Sequence, residues 1–257
     1  GDAHDAPEAR GLHARQQLVD VVEFADGIAV PQVDRIELAR HTLEGGTDVL
    51  AEARIFLPRF HFLQEMSAQT KAAIAGGFIE KENGRCYNAA MMVCGNDLIG
   101  IYRKIHLFNK EKIWFSPGDR PLRVWEVKGM KTGMMICFDW MFPEVCRSLA
   151  LNGAQIMVHP SNLVLPYGQQ AMVTRCLENR VYAVTANRIG TETRGADNFI
   201  FTGRSQITSF DGTVLSSAPE DTVYAGFVEV DIQKTNDKRI NEYNDVLLDR
   251  RPEMYRI

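Results

Sequence analysis

From Ile74 onward the chain is written as short apolar strands punctuated by two-residue turns, and this pattern constrains its fold more than any other feature. Ile74–Glu80 reads as a strand and Arg85–Cys94 as its return, because Asn83-Gly84 supplies the positive φ angles of a tight hairpin. Asn96-Asp97 turns the chain into a third strand, Leu98–Lys104. Leu122–Val127 and Lys131–Cys137 pair through Lys128-Gly129, and Arg204–Thr208 and Thr213–Ser217 through Asp211-Gly212. Gln155–His159, ended by Pro160, Val181–Asn187 and Val223–Asp231 complete the strands. Two helices interrupt them: Pro143–Asn152, with proline at its start and Gly153 at its stop, and Tyr167–Asn179. Strands outnumber helices, and two sheets packed face to face with helices outside would bury them, an α/β arrangement in layers.

Residues 1–73 read less sharply. Ala6–Phe24 fits a helix with Asp5 as N-cap, and Gly27–Val30 a short strand ending at Pro31-Gln32. Ile36–Ala53 has weak helical periodicity broken by Gly45-Gly46, and Ile55–Leu63 is apolar and aromatic. Ile232–Ile257 is charged and irregular, an arm rather than a core element. A single domain spanning residues 1–257 is the expectation, since 257 residues can bury one large core.

A formal net charge of −4 with scattered basic residues gives no footprint for nucleic acid. No apolar run approaches membrane-spanning length, and the polar opening Gly1-Asp2-Ala3-His4 does not read as a signal peptide. Opening on Gly rather than Met is expected of a processed, tagged or missing start. Five cysteines, Cys86, Cys94, Cys137, Cys146 and Cys176, an odd number without paired spacing, favour reduced thiols and a cytoplasmic setting. The histidines show no zinc-ligand spacing and no glycine-rich phosphate loop occurs, so neither a metal nor a nucleotide cofactor is expected.

The chemistry concentrates around Cys137. K-T-G-M-M-I-C is an apolar strand ending on a thiol, and F-D-W-M-F-P-E leads into a helix at Pro143. A thiol there is presented at an edge, where free backbone N–H groups favour a thiolate and an oxyanion. Cys86, Cys94, Cys146 and Cys176 read as small apolar fillers. A second signal is Y-R-K-I-H-L-F at Tyr102–Phe108. Lys104 ends a strand inside an apolar run, so its charge must be paired or used, and Glu111 is the natural partner.

These segments, followed by H-P-S-N, L-E-N-R-V-Y and G-R-S-Q-I in the same order, resemble the carbon–nitrogen hydrolase (nitrilase) superfamily over about Gly76–Ile257. The resemblance implies an α-β-β-α sandwich, association as a homodimer or larger homo-oligomer, and a Glu–Lys–Cys triad needing no cofactor. By position Cys137 is similar to the nucleophile, Lys104 to the triad lysine and Glu111 to the second glutamate near that lysine. The Phe138 backbone N–H would hold the oxyanion together with Lys104, and Trp140 is a candidate pocket residue, with core packing as its alternative. Asp139 and Glu144 read as stabilisers of the helix start. The implied substrate is a small aliphatic amide, a carbamoyl amine or a nitrile, attacked to form a thioester or thioimidate.

The chain departs from the family at the general base. The expected P-E falls at Pro31-Gln32, and an amide cannot accept the proton. Three explanations stay open: an altered or incomplete N-terminal region, another carboxylate such as Glu23 or Glu37, or an impaired site. A catalytically impaired binding or interaction protein on the same fold is therefore the competing function. A thiol-transfer enzyme is weaker, because no resolving cysteine sits near Cys137.

Overall fold

The computed structural model describes residues 57–255. The readings of Ala6–Phe24, Gly27–Val30 and Ile36–Ala53, and the positions of Glu23, Gln32 and Glu37, lie outside them. Helix α1 (Leu57–Thr70) leads into β1 (Ala73–Glu82) and β2 (Arg85–Cys94). Asn83 and Gly84 both take positive φ, 48° and 76°, and close this hairpin with Glu82 opposite Arg85. β3 (Asp97–Arg103) pairs antiparallel with β2 and completes a three-stranded sheet in the order β1-β2-β3.

After a short helix α2 (Glu111–Trp114) come β4 (Val124–Val127) and β5 (Met130–Met134), joined through Lys128-Gly129. Helix α3 (Pro143–Leu151), β6 (Ile156–Ser161), helix α4 (Gly168–Asn179) and β7 (Tyr182–Asn187) follow. β8 (Thr191–Arg194) and β9 (Asp197–Ile200) form a separate two-stranded hairpin, before β10 (Gln206–Thr208) and β11 (Val214–Ser217). The second sheet has the order β11-β10-β7-β6-β5-β4, with β5, β6 and β7 parallel.

Strand alternation builds the layers, since successive side chains face opposite sides. Ala75, Ala90 and Met92 of the first sheet meet Val127, Met134 and Val158 of the second in a shared inner core. Their neighbours Ile74, Ala89 and Met91 face outward, against Phe60 and Leu63 of α1. On the second sheet Met157 and Ala183 face outward, against Val145 and Leu149 of α3 and Met172 and Cys176 of α4. The result is a four-layer α-β-β-α sandwich.

Several expected boundaries shift. The strand read as Lys131–Cys137 stops at Met134, and Cys137–Met141 is a 3-10 turn. β6 runs through Pro160, which lies opposite Ala186, to Ser161. Val223–Asp231 forms no strand ladder; Glu229 carries a single bridge. Its apolar alternation is used for side-chain burial instead: Val230 and Ile232 cover Met130, Ile156, Tyr182 and Val184 on the inner face of the second sheet. The arm is tied down from Ile232 onward, because Lys238 Nζ donates to the carbonyls of Asn179 and Arg180 at the end of α4.

Candidate active site

Arg103 and Lys104 are neighbours at the end of β3, so their side chains take different routes. Arg103 enters a buried charge network, with Nε and Nη2 donating to Glu80 at 2.7 Å, Nη2 to Glu82 at 2.7 Å and Nη1 to Asp119 at 2.8 Å. Burial opposes its charge, but the bonds to Glu80, Asp119 and Glu82 outweigh that and raise its pKa. Lys104 is held by its backbone on both sides. Its N–H donates to the Asn88 carbonyl at 2.8 Å, and its carbonyl accepts from Gly118 N–H at 2.9 Å. That approach requires glycine: a Cβ on Gly118 would sit 2.3 Å from the Arg103 carbonyl oxygen.

The Lys104 ammonium is fully buried and donates to Glu111 Oε2 at 2.7 Å. Glu111 opens α2, and its carboxylate is fully engaged. Oε2 also accepts from Phe108 N–H at 2.7 Å, and Oε1 from Asn88 Nδ2 at 3.0 Å. A carboxylate bonded this way holds the lysine ammonium in one place.

Cys137 lies beyond the C-terminal end of β5, at the first residue of the 3-10 turn, with φ of 44°. A non-glycine residue in the left-handed region costs free energy that its surroundings must offset. The surroundings do so on both sides. The buried His159 of β6 meets the Cys137 carbonyl oxygen through Nε2 at 2.9 Å, and Thr185 of β7 through Nδ1 at 3.1 Å. Asp139, also fully buried, accepts from Ile136 N–H at 2.9 Å, the Tyr102 hydroxyl at 2.8 Å and His106 Nδ1 at 2.9 Å. His106 in turn stacks on Phe142 with 3.6 Å between ring centres.

Cys137 as a residue is partly exposed, but its thiol is buried. Burial pushes its pKa up; the Lys104 charge and the backbone N–H groups of Asn162 and Phe138 oppose that, and the Glu111 charge adds to it. The net direction is upward, which corrects the expectation of a thiolate-favouring position. An enclosed site penalises the anion more than one lysine and two N–H groups relieve it. Burial also drives the His159 pKa down to about 4, so its imidazole is neutral.

The structure thus brings Cys137, Lys104, Glu111 and the Phe138 backbone to one place. The Phe138 ring packs against Phe108 at 4.9 Å and Phe142 at 5.5 Å. Trp140 goes to the helix-side core at 4% exposure, where its carbonyl accepts from Arg175, and its ring meets that of Phe138 in a T-shaped contact with 6.4 Å between centres. Gln32 lies outside the described residues. His159, Asn88 and the Asn162 backbone were given no role in the sequence reading. The one signal for two of them was the H-P-S-N segment. Among the described residues no group of His, Cys, Asp and Glu could hold a metal ion, and no helix is long and apolar enough to cross a membrane.

Comparison with known proteins points to one family. The family model for carbon-nitrogen hydrolase matches residues 36–239. A nitrilase of Pyrococcus abyssi (strain GE5 / Orsay) is 48% identical over 194 residues, covering 76% of this chain and 72% of that protein. An (R)-stereoselective amidase of Pseudomonas sp is 32% identical over 257 residues, covering 91% of each. The fold is similar to the crystal structure of a carbon-nitrogen hydrolase from Helicobacter pylori G27, with a TM-score of 0.72, 24% identity and coverage of 78% of this chain and 75% of that one.

Proposed function

The chain belongs to the carbon–nitrogen hydrolase family, and from that premise we propose that it hydrolyses a small aliphatic amide, carbamoyl amine or nitrile with Cys137 as nucleophile. The observation that carries this reading is the buried Lys104 ammonium, paired with a partly exposed Glu111, their charges acting on the buried thiol of a Cys137 held at positive φ. Cys137 Sγ adds to the carbonyl or nitrile carbon. The electron pair displaced onto oxygen or nitrogen meets Lys104 Nζ and the Phe138 N–H. From an amide, collapse of the tetrahedral adduct breaks the C–N bond, the nitrogen leaves as ammonia or amine with the proton the thiol gave up, and water cleaves the thioester to a carboxylic acid and the free thiol. A nitrile gives a thioimidate on the same sulfur. The aromatic wall of Phe108, Phe138 and Phe142 suits an apolar substrate of modest size. The family relatives named a nitrilase and an amidase support both substrate classes.

The general base divides this reading from its rival, an impaired site. Glu111 and Asp139 are both committed to hydrogen bonds, so neither is placed to take the thiol proton. The expected base position is Gln32. Incubating purified protein with short amides and nitriles and reading intact mass tests the proposal. A substrate-derived mass on Cys137, and no turnover by Cys137→Ala, is the expected result. Turnover by Cys137→Ala, or substrate mass on another cysteine, would sink it. No adduct and no turnover with any of them would favour the impaired site.

A further inference from the structure

We propose that His159 is a positioning residue for the oxyanion donor, acting through the peptide that joins Cys137 to Phe138. This role presupposes the hydrolase reading above and follows from one plane of atoms. The C=O of Cys137 and the N–H of Phe138 belong to the same peptide unit. In a trans peptide these two groups point in opposite directions, so fixing one aims the other. His159 Nε2 holds the Cys137 oxygen at 2.9 Å from inside the second sheet. The Phe138 N–H is therefore directed the opposite way, to the side on which it meets the Cys137 thiol. It is also an early N–H of the 3-10 turn, one that the turn's own bonding leaves without a carbonyl acceptor.

The tautomer follows from the partners. A carbonyl oxygen only accepts, so Nε2 carries the proton. Nδ1 of the neutral ring then accepts from the Thr185 hydroxyl at 3.1 Å. Strand register secures this pair, because His159 lies directly opposite Thr185 in the parallel β6–β7 ladder. The ring cannot drift, since it is fully buried. A hydrogen bond to the C=O also polarises the peptide, making its N–H a better donor as charge develops on the substrate oxygen. Holding the peptide this way further supports the left-handed φ of Cys137.

The test uses the full chain as wild type, His159→Leu and His159→Gln, with propionamide as substrate and propionaldehyde as probe. In the aldehyde adduct Sγ bonds to the carbonyl carbon, the π pair moves to oxygen, and the thiol proton ends there. The adduct thus places a tetrahedral carbon's hydroxyl oxygen where the oxyanion would stand, able to accept from Phe138 N–H, whereas propionamide binding does not. His159→Leu should lower kcat about 10- to 10²-fold, less than outright deletion of an oxyanion donor, with KM changed by no more than about twofold. Aldehyde affinity should fall by a similar factor. His159→Gln, whose amide restores a donor, should recover most of both. In the wild type, nitrogen-15 NMR should show the His159 proton on Nε2. Should His159→Leu not fold, Thr185→Val carries the same comparison, because it frees the ring while removing little volume.

A folded His159→Leu or Thr185→Val that binds the aldehyde as tightly as wild type overturns the assignment. So does a proton on Nδ1, or a rise in KM alone. Wild-type protein that forms no aldehyde adduct overturns the hydrolase reading instead, and the NMR result, which needs no turnover, still decides the His159–Cys137 contact.

Discussion

At Cys137 burial and charge act against each other, and the pH behaviour of the thiol follows from which one prevails. Burial is the larger, so the thiol titrates above its ordinary value of 9.0. Alkylation by iodoacetamide should therefore be slow at neutral pH and climb only in the alkaline range, read by intact mass. Lys104 lowers that pKa, so Lys104→Ala should move the alkylation limb to still higher pH. An unmoved limb would show that the ammonium does not act on the thiol. The same substitution should cost roughly 10²-fold or more in kcat, as for a lost oxyanion donor. Glu111→Gln keeps the shape but weakens the hold on Lys104, and should lower kcat rather than raise KM alone. If Gln32 occupies the base position, Gln32→Glu should raise kcat and add an acid-side limb to the pH–rate profile, since general-base catalysis is worth about 10²–10⁴-fold. The places of Cys137 and Lys104 were legible in the sequence because each follows a strand in an apolar run. His159 was not. Its role depends on the Cys137 carbonyl, 22 residues away in sequence, at a position where the backbone adopts positive φ.

Strands set the next level of argument, because they convert neighbouring residues into separate tasks. β3 delivers Arg103 to a charge network and Lys104 to the thiol, so damage to the first should reach the second. Arg103→Ala would strip the buried Glu80 of both its 2.7 Å hydrogen bonds and leave it only Arg120 at 3.8 Å, a change that costs up to about 3–5 kcal/mol. Urea denaturation should show that loss, while Glu82→Ala, whose carboxylate is nearer solvent and only one of several partners, should cost much less. Strand β6 makes a pH-dependent contribution through His159. Below about pH 6.5 the unfolded chain takes a proton there that the folded protein refuses until about pH 4. Stability should thus fall as pH drops through that window, by about 3 kcal/mol in all. His159→Gln should flatten this part of the urea-midpoint profile; an unchanged profile would mean that His159 is protonated in the fold. Hairpin dipeptides made β1, β2, β4 and β5 readable, since Asn83-Gly84 and Lys128-Gly129 admit few conformations. Val223–Asp231 misled because alternation reports which side is buried, and its burial against the second sheet needs no strand ladder.

For the whole molecule, layering was readable wherever adjacent strand residues divide between two cores, as Ile74 and Ala75 or Met91 and Met92 do. What single-chain periodicity could not give is the surface those layers present. Along the arm Ile240, Tyr243, Leu248 and Met254 are 57%, 83%, 83% and 64% exposed, far more apolar surface than its charged composition announces. This segment is anchored: Lys238 bonds the end of α4, Arg147 of α3 donates to the Val246 carbonyl, and Arg180 to the Asp237 carbonyl. Leu151 and Leu177, also exposed, lie on those same two helices. Apolar side chains held exposed on an anchored segment are suited to pairing with a second copy about a two-fold axis. The protein should accordingly run as a dimer or larger assembly in light scattering at micromolar concentration. Tyr243→Ser with Leu248→Asp should shift it toward monomer with an unchanged circular dichroism spectrum, because neither side chain contributes to the core. Deleting residues 244–257 should weaken association at least as much. Since the driving force is apolar burial, the wild-type assembly should persist at high salt. A wild-type monomer at these concentrations would refute the pairing. An assembly that loosens in salt and ignores Leu248→Asp would place the contact on another, charged surface.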